Sequence, residues 1–217
     1  MTRWIVYLAA GLLATSAAAK EAPASATLHY VPPPESVDRP LPTDISVGPQ
    51  GSDLLVKISF NQLPWGEQCK NRCANVTLYL DTDNTRGTGL QMGDGKPETG
   101  ADMAVTVQGA REYKEKSAQV FLRAKVRQLT NEATTLEHGE VVAELSHLTD
   151  PDRLKSDKKD VTVRVDATNL TIPSARTMRL VYHPPADKAL EATGKGLLAT
   201  SNLRPEMFGG GKKKRRR

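Results

Sequence analysis

The sequence lacks the short motifs that mark common catalytic sites. It contains no Gly-x-Ser-x-Gly elbow for a serine nucleophile, no His-Glu-x-x-His metal pair and no glycine-rich phosphate loop followed by Lys-Ser or Lys-Thr. The histidines are isolated in the sequence, at His29, His138, His147 and His183. These absences argue against an enzyme. The alternative that stays open is a secreted hydrolase in which Asp81 and Asp102 act as paired carboxylates.

Aromatic residues and long apolar runs are also scarce. Aromatics make up 5% of the 217 residues, so the core is expected to consist of aliphatic side chains, mainly Val, Leu and Ala. A chain of this length can bury such a core as one domain without help from metals or disulfides. After residue 19, no stretch is long and apolar enough to span a membrane. No transmembrane segment is therefore expected once the start of the chain is removed.

The first 19 residues predict export through a cleaved signal peptide. Arg3 is followed by an apolar run from Trp4 to Leu13 and by small residues up to Ala19, which is the order typical of signal peptides. The run is shorter than the roughly 20 residues that a membrane-spanning helix needs, and this favours cleavage over a membrane anchor. We expect cleavage after Ala19, with Ala24-Ser25-Ala26 as the second choice. The mature protein would then lie in the periplasm, at the cell surface or outside the cell.

Positive charge is concentrated at the end of the chain. Gly209-Gly210-Gly211 precedes six basic residues, namely Lys212, Lys213, Lys214, Arg215, Arg216 and Arg217. Without these six and Arg3, 23 of the 30 basic residues remain against 25 acidic ones, so the body carries a net charge of about −2. This near-neutral body argues against nucleic-acid binding by the folded domain. The tail is interpreted either as a tether to anionic surfaces or polymers or as a solubilising end.

The residue pattern predicts one β-rich domain, at residues 44–203, between two different ends. Residues 20–43 are rich in Ala, Pro and Ser and predict an extended leader, and residues 204–217 form a glycine hinge and the basic tail. In the domain, apolar and polar residues alternate, which is typical of strands with one buried face. The predicted strands centre on Ile45–Val47, Leu54–Phe60, Val76–Leu80, Met103–Val107, Val120–Val126, Val141–Leu145, Val161–Val165 and Met178–Tyr182.

About eight such strands predict an all-β fold, an antiparallel two-sheet β-sandwich of the jelly-roll or immunoglobulin-like kind. A hairpin turn is expected around Gly48, Gly51 and Asp53. One or two short helices are expected, at Leu148–Ser156 and at Pro185–Ala192.

A glycine-rich acidic loop follows the predicted strand Val76–Leu80. It contains Asp81, Asp83 and Asn84, and Asp102 follows Gly100-Ala101 before the next strand. Oxygen ligands on such a loop suit Ca²⁺, which usually binds about six to eight of them. Asp and Asn are also common in turns without any ion, because they bond to their own backbone. The loop is therefore either a calcium site or a structural turn.

Three pieces of this region resemble family-nine carbohydrate-binding modules and their DOMON-like relatives. The pieces are Leu78-Tyr79-Leu80-Asp81-Thr82-Asp83-Asn84, the following Thr88-Gly89, and Gly100-Ala101-Asp102. The resemblance covers roughly residues 76–107. It implies an exported bacterial β-sandwich in which Asp81, Asp83 and Asp102 are structural or cation-associated. Sugar-binding members hold a sugar between tryptophans, whereas this chain keeps Trp65 alone after cleavage, with Tyr79, Tyr113 and Tyr182 as other candidate platforms.

Two further features lie between the predicted strands at Leu54–Phe60 and Val76–Leu80. Trp65 is a candidate for stacking on a ligand, and it is also a candidate for closing one end of the sandwich. Cys69 and Cys73 flank Lys-Asn-Arg, and in an oxidising compartment they are predicted to form a short disulfide loop. A zinc pair is the alternative, but no histidine lies nearby to complete it.

These features predict an exported, non-catalytic binding or structural module. It would recognise a carbohydrate or a cell-envelope polymer through the loops around Asp81–Asp102 and Trp65. Trp65, Tyr79 and Tyr113 are the candidate ligand-binding residues, and Ca²⁺ is the one candidate cofactor. The alternative from a different class is a surface or matrix protein that its basic tail holds to anionic polymers.

Overall fold

A computed structural model of the chain describes residues 24–33, 39–66, 73–93, 95–114, 117–168, 170, 176–185 and 188–196. The predicted signal peptide, Cys69 and the basic tail lie outside these residues. Cys73 lies within them but Cys69 does not, so the disulfide between the two stays a prediction.

The described residues form two antiparallel sheets packed face to face, which confirms the predicted all-β sandwich. The strands are β1 (Ala26–His29), β2 (Pro42–Gln50), β3 (Asp53–Phe60), β4 (Asn75–Asp81), β5 (Met103–Lys114), β6 (Ser117–Gln128), β7 (Glu140–Ser146), β8 (Leu154–Asp157), β9 (Asp160–Asp166), β10 (Thr177–Tyr182) and β11 (Leu190–Lys195). The five-stranded sheet has the order β1-β2-β3-β9-β8, and the six-stranded sheet has the order β11-β10-β4-β5-β6-β7.

Alternation in the sequence decides which face of each strand is buried. In β3, Val56, Ile58 and Phe60 are buried while Lys57 is exposed, as the pattern predicts. The inner faces of the other strands add mostly Val, Leu and Ala to a single aliphatic cluster between the sheets. Each large side chain that is fully buried there contributes about 1.5–3 kcal/mol.

Three strands lie where the sequence indicated other structure. The predicted leader contains β1, which pairs with β2 so that Ala26 lies opposite Val47. The helix expected at Leu148–Ser156 is wrong, because β8 begins at Leu154 and pairs with β9. The helix expected at Pro185–Ala192 is wrong over its described end, where β11 pairs with β10. Ladder hydrogen bonds outweigh the weak local helix preference of both segments.

Turns and close contacts explain where glycine is needed. The predicted hairpin turn joins β2 to β3, with Gly51 at a φ of 62°. On one side of the sandwich β1 lies against β11, and a Cβ at Gly194 would stand 2.1 Å from the backbone nitrogen of Ala26.

Helical structure in the described residues is limited to one 3-10 turn, Leu136–His138. None of the described helical structure has the length and apolarity to cross a bilayer.

Candidate metal centre

The candidate site lies at one end of the six-stranded sheet, where β4 ends and β5 begins. These strands are antiparallel neighbours, with Leu80 opposite Met103. The backbone nitrogen of Asp102 donates to the carbonyl oxygen of Leu80 at 2.9 Å. Strand pairing therefore brings Asp81 and Asp102 together although a long loop separates them in the sequence.

The loop between the two aspartates folds back on itself. The nitrogen of Leu90 donates to the oxygen of Ala101 at 2.7 Å, and the nitrogen of Gly100 donates to the oxygen of Leu90 at 2.8 Å. Gly89 has a φ of 65°, and a Cβ there would stand 2.2 Å from the oxygen of Ala101. Leu90 and Ala101 also pack in a second apolar cluster with Ala104, Leu129 and Ala133. The loop is thus held by backbone bonds and by its own small core.

Three carboxylates meet at the base of this loop. Asp81, Asp83 and Asp102 each place one oxygen in a group whose members all lie within 4.8 Å of one another. Asp81 is 1% exposed and Asp102 is 0% exposed, while Asp83 is half-buried. Carboxylates this close repel one another unless a cation or a proton lies among them. The group can hold a metal ion such as calcium.

Asp102 carries the strongest mark of a site. Its Oδ2 accepts from the backbone nitrogen of Thr82 at 2.8 Å and from the Thr82 hydroxyl at 2.9 Å. Its Oδ1 is buried and has no hydrogen-bond partner among the described residues. Burial raises the pKa of Asp102 to about 6, and the charges of Asp83 and Asp81 act in the same direction. A buried acceptor without a donor is costly in a folded protein, and a bound cation would remove that cost.

Asp81 is held by both the loop and β10. Its Oδ1 accepts from the nitrogen of Thr85 at 2.9 Å, and its Oδ2 lies 3.1 Å from Nη2 of Arg179. Burial raises the pKa of Asp81, while the bonds from Thr85 and Arg179 oppose that rise. Arg179 also donates to the carbonyl oxygens of Pro97 at 2.7 Å and Thr99 at 2.6 Å. One guanidinium therefore neutralises part of the acidic group and fastens the loop to the sheet.

Asp83 and Asn84 show the features of a turn. Oδ1 of Asp83 accepts from the nitrogen of Thr85 at 2.9 Å, and the Thr88 hydroxyl donates to Asp83 at 3.0 Å. Asn84 is exposed and has a φ of 55°, a conformation that asparagine tolerates well. Turn chemistry thus explains these two residues. It does not explain the unpartnered oxygen of Asp102.

A cavity opens beside Asp102. It has a volume of about 410 Å³, and its lining includes Gly89, Thr130, Asn131 and Glu132. The last three residues carry side-chain oxygens, and they belong to the segment that follows β6. The cavity therefore places three residues with side-chain oxygens near Asp102.

Trp65 lies at the other end of the sandwich. Its ring is half-buried and tilted over His147 at a centroid distance of 4.2 Å, and its Nε1 donates to Oγ of Ser156 at 2.9 Å. The backbone nitrogen of His147 donates to the carbonyl oxygen of Leu122 on β6. The cavity beside Asp102 borders Gln128, at the far end of the same strand. Six residues of strand correspond to about 20 Å. Trp65 and the aspartates therefore do not share one recognition surface.

The two candidate tyrosines lie in different places. Tyr79 packs against the apolar cluster of the loop, which includes Leu90 and Ala101. Tyr79 stands edge-on to His183 at 6.0 Å, in a second cavity of about 300 Å³. Oε2 of Glu98 lies 2.8 Å from Nε2 of His183 in the same cavity. Burial raises the pKa of Tyr79. Tyr113 pairs with Ala118 near the turn between β5 and β6, and its side chain lies outside the described part.

Sequence reasoning missed Arg179 and Thr82. Arg179 is separated from Asp81 by most of the domain, and only the pairing of β10 with β4 places the two side by side. One signal was present, because Arg179 is a lone charge in a strand whose other residues from Met178 to Tyr182 are apolar or aromatic. Such a charge inside a buried strand needs a partner.

Comparison of the chain with protein-family models, with curated proteins and with solved structures found no match. The structure supports a two-sheet β-sandwich with a buried three-aspartate group, and the likeness to carbohydrate-binding modules stays a resemblance.

Proposed function

We propose that this protein is an exported, non-catalytic binding or structural module in which Ca²⁺ fastens the loop between Asp81 and Asp102. The observation that carries the proposal is Oδ1 of Asp102, a buried oxygen that has no partner in the described part of the chain and lies beside two further carboxylates. A divalent cation at this position would satisfy that oxygen and remove the repulsion among the three charges.

The donor set favours calcium over other metals. The group contains carboxylate oxygens and no histidine or cysteine, and such hard ligands suit Ca²⁺ rather than Zn²⁺. Three carboxylates carry more negative charge than Arg179 can offset, since Arg179 also pairs with Glu191, and a divalent cation would balance the remainder. Thr130, Asn131 and Glu132, which carry side-chain oxygens, line the adjoining cavity. Together with the three aspartates they are the kind of ligand that the larger coordination number of calcium requires.

The binding role follows from the same cavity. A fastened loop that carries hydroxyl, amide and carboxylate groups is suited to sugar hydroxyls, in keeping with the resemblance to family-nine carbohydrate-binding modules. We therefore propose a carbohydrate or a cell-envelope polymer as the ligand class. A glycan array with wild type and with Asp102→Asn tests this part. Sugar binding that is equal in the two proteins would separate ligand recognition from the acidic group.

The calcium proposal is tested by melting the protein with calcium and then with a chelator. At about 100 times its Kd, calcium would stabilise the fold by about 2.7 kcal/mol, which for a domain of this size raises Tm by about 5–10 °C. Asp102→Asn and Asp83→Asn should lose this shift, because each removes a ligand charge. The matched control is Asp166→Asn, which also removes an aspartate from a turn and should keep the shift. An unchanged wild-type Tm with calcium would refute the proposal.

The hydrolase alternative has less support. A glycosidase needs carboxylates that reach the bond to be cleaved, whereas Asp102 is 0% exposed and Asp81 is bound to Arg179. Turnover of a polysaccharide by wild type that Asp102→Asn abolishes would favour the enzyme instead.

A further inference from the structure

We propose that the outer face of the six-stranded sheet binds an acidic polysaccharide through a row of cations on β6. The row consists of Arg123, Lys125 and Arg127, and it is called the β6 cation row below. This inference deepens the proposed function, because it names a ligand class and a surface, and it rests on the module recognising a polymer. It does not depend on calcium.

The row follows from strand geometry. Leu122, Ala124 and Val126 are each 0% exposed in the core, so the alternate residues of β6 project from the opposite face of the sheet. Side chains two positions apart on one strand are about 6.6–6.8 Å apart. The three cations therefore form a straight array that a polymer with regularly spaced anions can follow.

The positive charge of the row is only partly used within the protein. Glu144 lies 3.1 Å from Arg123 and 3.7 Å from Lys125, so one carboxylate serves two cations. The side chain of Arg127 makes no hydrogen bond or ion pair with any described residue, and its Nε is buried without a partner there, as is Nε of Arg123. Partly buried guanidinium groups without acceptors favour an external anion, which forms charge-assisted bonds with them.

The neighbouring side chains favour a sugar polymer over a nucleic acid. Thr106 lies opposite Lys125 and Gln108 lies opposite Arg123, and the hydroxyl of Thr106 is 3.1 Å from that of Thr77 on β4. Hydroxyl and amide groups of this kind bond to sugar hydroxyls. Single-stranded nucleic acid is usually held on successive aromatic rings, whereas the row is continued by Phe121 alone. The body of the chain is also near neutral rather than basic.

The other sheet provides a matched control. Lys57 on β3 and Arg164 on β9 are exposed on the outer face of the five-stranded sheet. Arg164 lies 3.7 Å from Asp53, a pairing similar to that of Lys125 with Glu144. Neutralising these two residues changes the net charge by the same amount as neutralising Lys125 and Arg127.

The test measures binding of the full chain to polygalacturonate at low salt, by calorimetry, with neutral dextran as the reference polymer. Lys125→Gln with Arg127→Gln should weaken binding about tenfold and lower the slope of log affinity against log salt by about two. Lys57→Gln with Arg164→Gln should leave both within about twofold. Equal losses in the two double variants would overturn the proposal, because they would indicate a response to net charge alone.

Three further measurements separate the β6 cation row from the basic tail, from other anionic ligands and from the calcium site. Both double variants are repeated in a chain whose residues 212–217 are changed to glutamine, and loss of all polymer binding in that background would overturn the proposal in favour of the tail. Wild-type binding to oligothymidylate or to anionic vesicles that is as tight as binding to polygalacturonate would also overturn the proposal, in favour of those ligands.

Melting curves check that the variants fold. An unchanged calcium shift in Lys125→Gln with Arg127→Gln would show that the polymer proposal and the calcium proposal are independent.

Discussion

Asp102 and Asp166 each accept hydrogen bonds from the backbone nitrogen and the hydroxyl of a threonine, but their pKa values shift in opposite directions. Oδ2 of Asp102 accepts from the nitrogen and hydroxyl of Thr82, and Oδ1 of Asp166 accepts from the nitrogen and hydroxyl of Thr168. The bonds from Thr168 lower the pKa of Asp166, which is only half-buried, while burial raises the pKa of Asp102 to about 6. Burial and neighbouring charge, rather than the Asp–Thr turn itself, therefore distinguish a candidate ion site from a structural turn.

The largest effect is expected from removing the guanidinium of Arg179, which partly neutralises the buried aspartates. Arg179→Met leaves the charge of Asp81 buried without its guanidinium partner, which should destabilise the calcium-free protein by about 3–5 kcal/mol. Arg164→Met removes a surface arginine that pairs with Asp53 and should cost less than about 1 kcal/mol. Urea unfolding of both variants measures the difference. Similar losses in the two variants would mean that the Asp81 site is not electrostatically special.

A second pair of substitutions tests whether the loop structure creates the burial. Gly89→Ala combines a positive φ with a Cβ that would stand 2.2 Å from the oxygen of Ala101, so it should cost about 2–3 kcal/mol. Gly51 has a similar φ of 62° but nothing within 4 Å of a Cβ, and its change to alanine should cost about 1 kcal/mol. Thermal melts measure both costs. Only Gly89→Ala should also weaken the calcium response, and loss of that response in both variants would contradict a local role for the loop.

The smallest effect is a pH dependence that should differ in sign between the two aspartates. The pKa of Asp102 rises from 3.8 to about 6 on folding, so protonation stabilises the fold fully below pH 3.8 and this contribution is lost as the pH rises through about 6. The pKa of Asp166 is lowered, so its contribution is present at neutral pH and is lost on acidification below 3.8.

The measurement is Tm without calcium at pH 7 and pH 5. Wild type should gain stability at pH 5 relative to Asp102→Asn, which lacks the titrating group. Asp166→Asn should retain the wild-type gain over this range, because Asp166 titrates below it. A gain of the same size in Asp102→Asn would assign the effect to other groups.

Features that depend on residues close together in the sequence were predicted, whereas features that depend on distant residues were not. Alternation predicted the buried faces of β3 and β4 because each side chain needs only its own strand to set its direction. Asp81, Asp83 and Asp102 were grouped on a different ground, because they lie on or beside one glycine-rich loop between consecutive strands, and the pairing of β4 with β5 brings them together. Alternation missed β1, whose four residues lie among prolines, and β8 and β11, whose short segments are strands only because β9 and β10 lie beside them. The pairing of Arg179 with Asp81 could not be predicted for the same reason, because it depends on the register between two strands that are distant in the sequence.

The contact between β1 and β11 also has a consequence for how the chain reaches its fold. β1 pairs with the nearby β2, but its contact with β11 cannot form until the chain has been made as far as residue 195, so this part of the topology depends on segments that are far apart in the sequence. Folds with such long-range pairing form slowly. A nascent chain would therefore expose the inner side of β1 for longer than it exposes the local hairpins, and this strand is where a helper protein would have the most time to act.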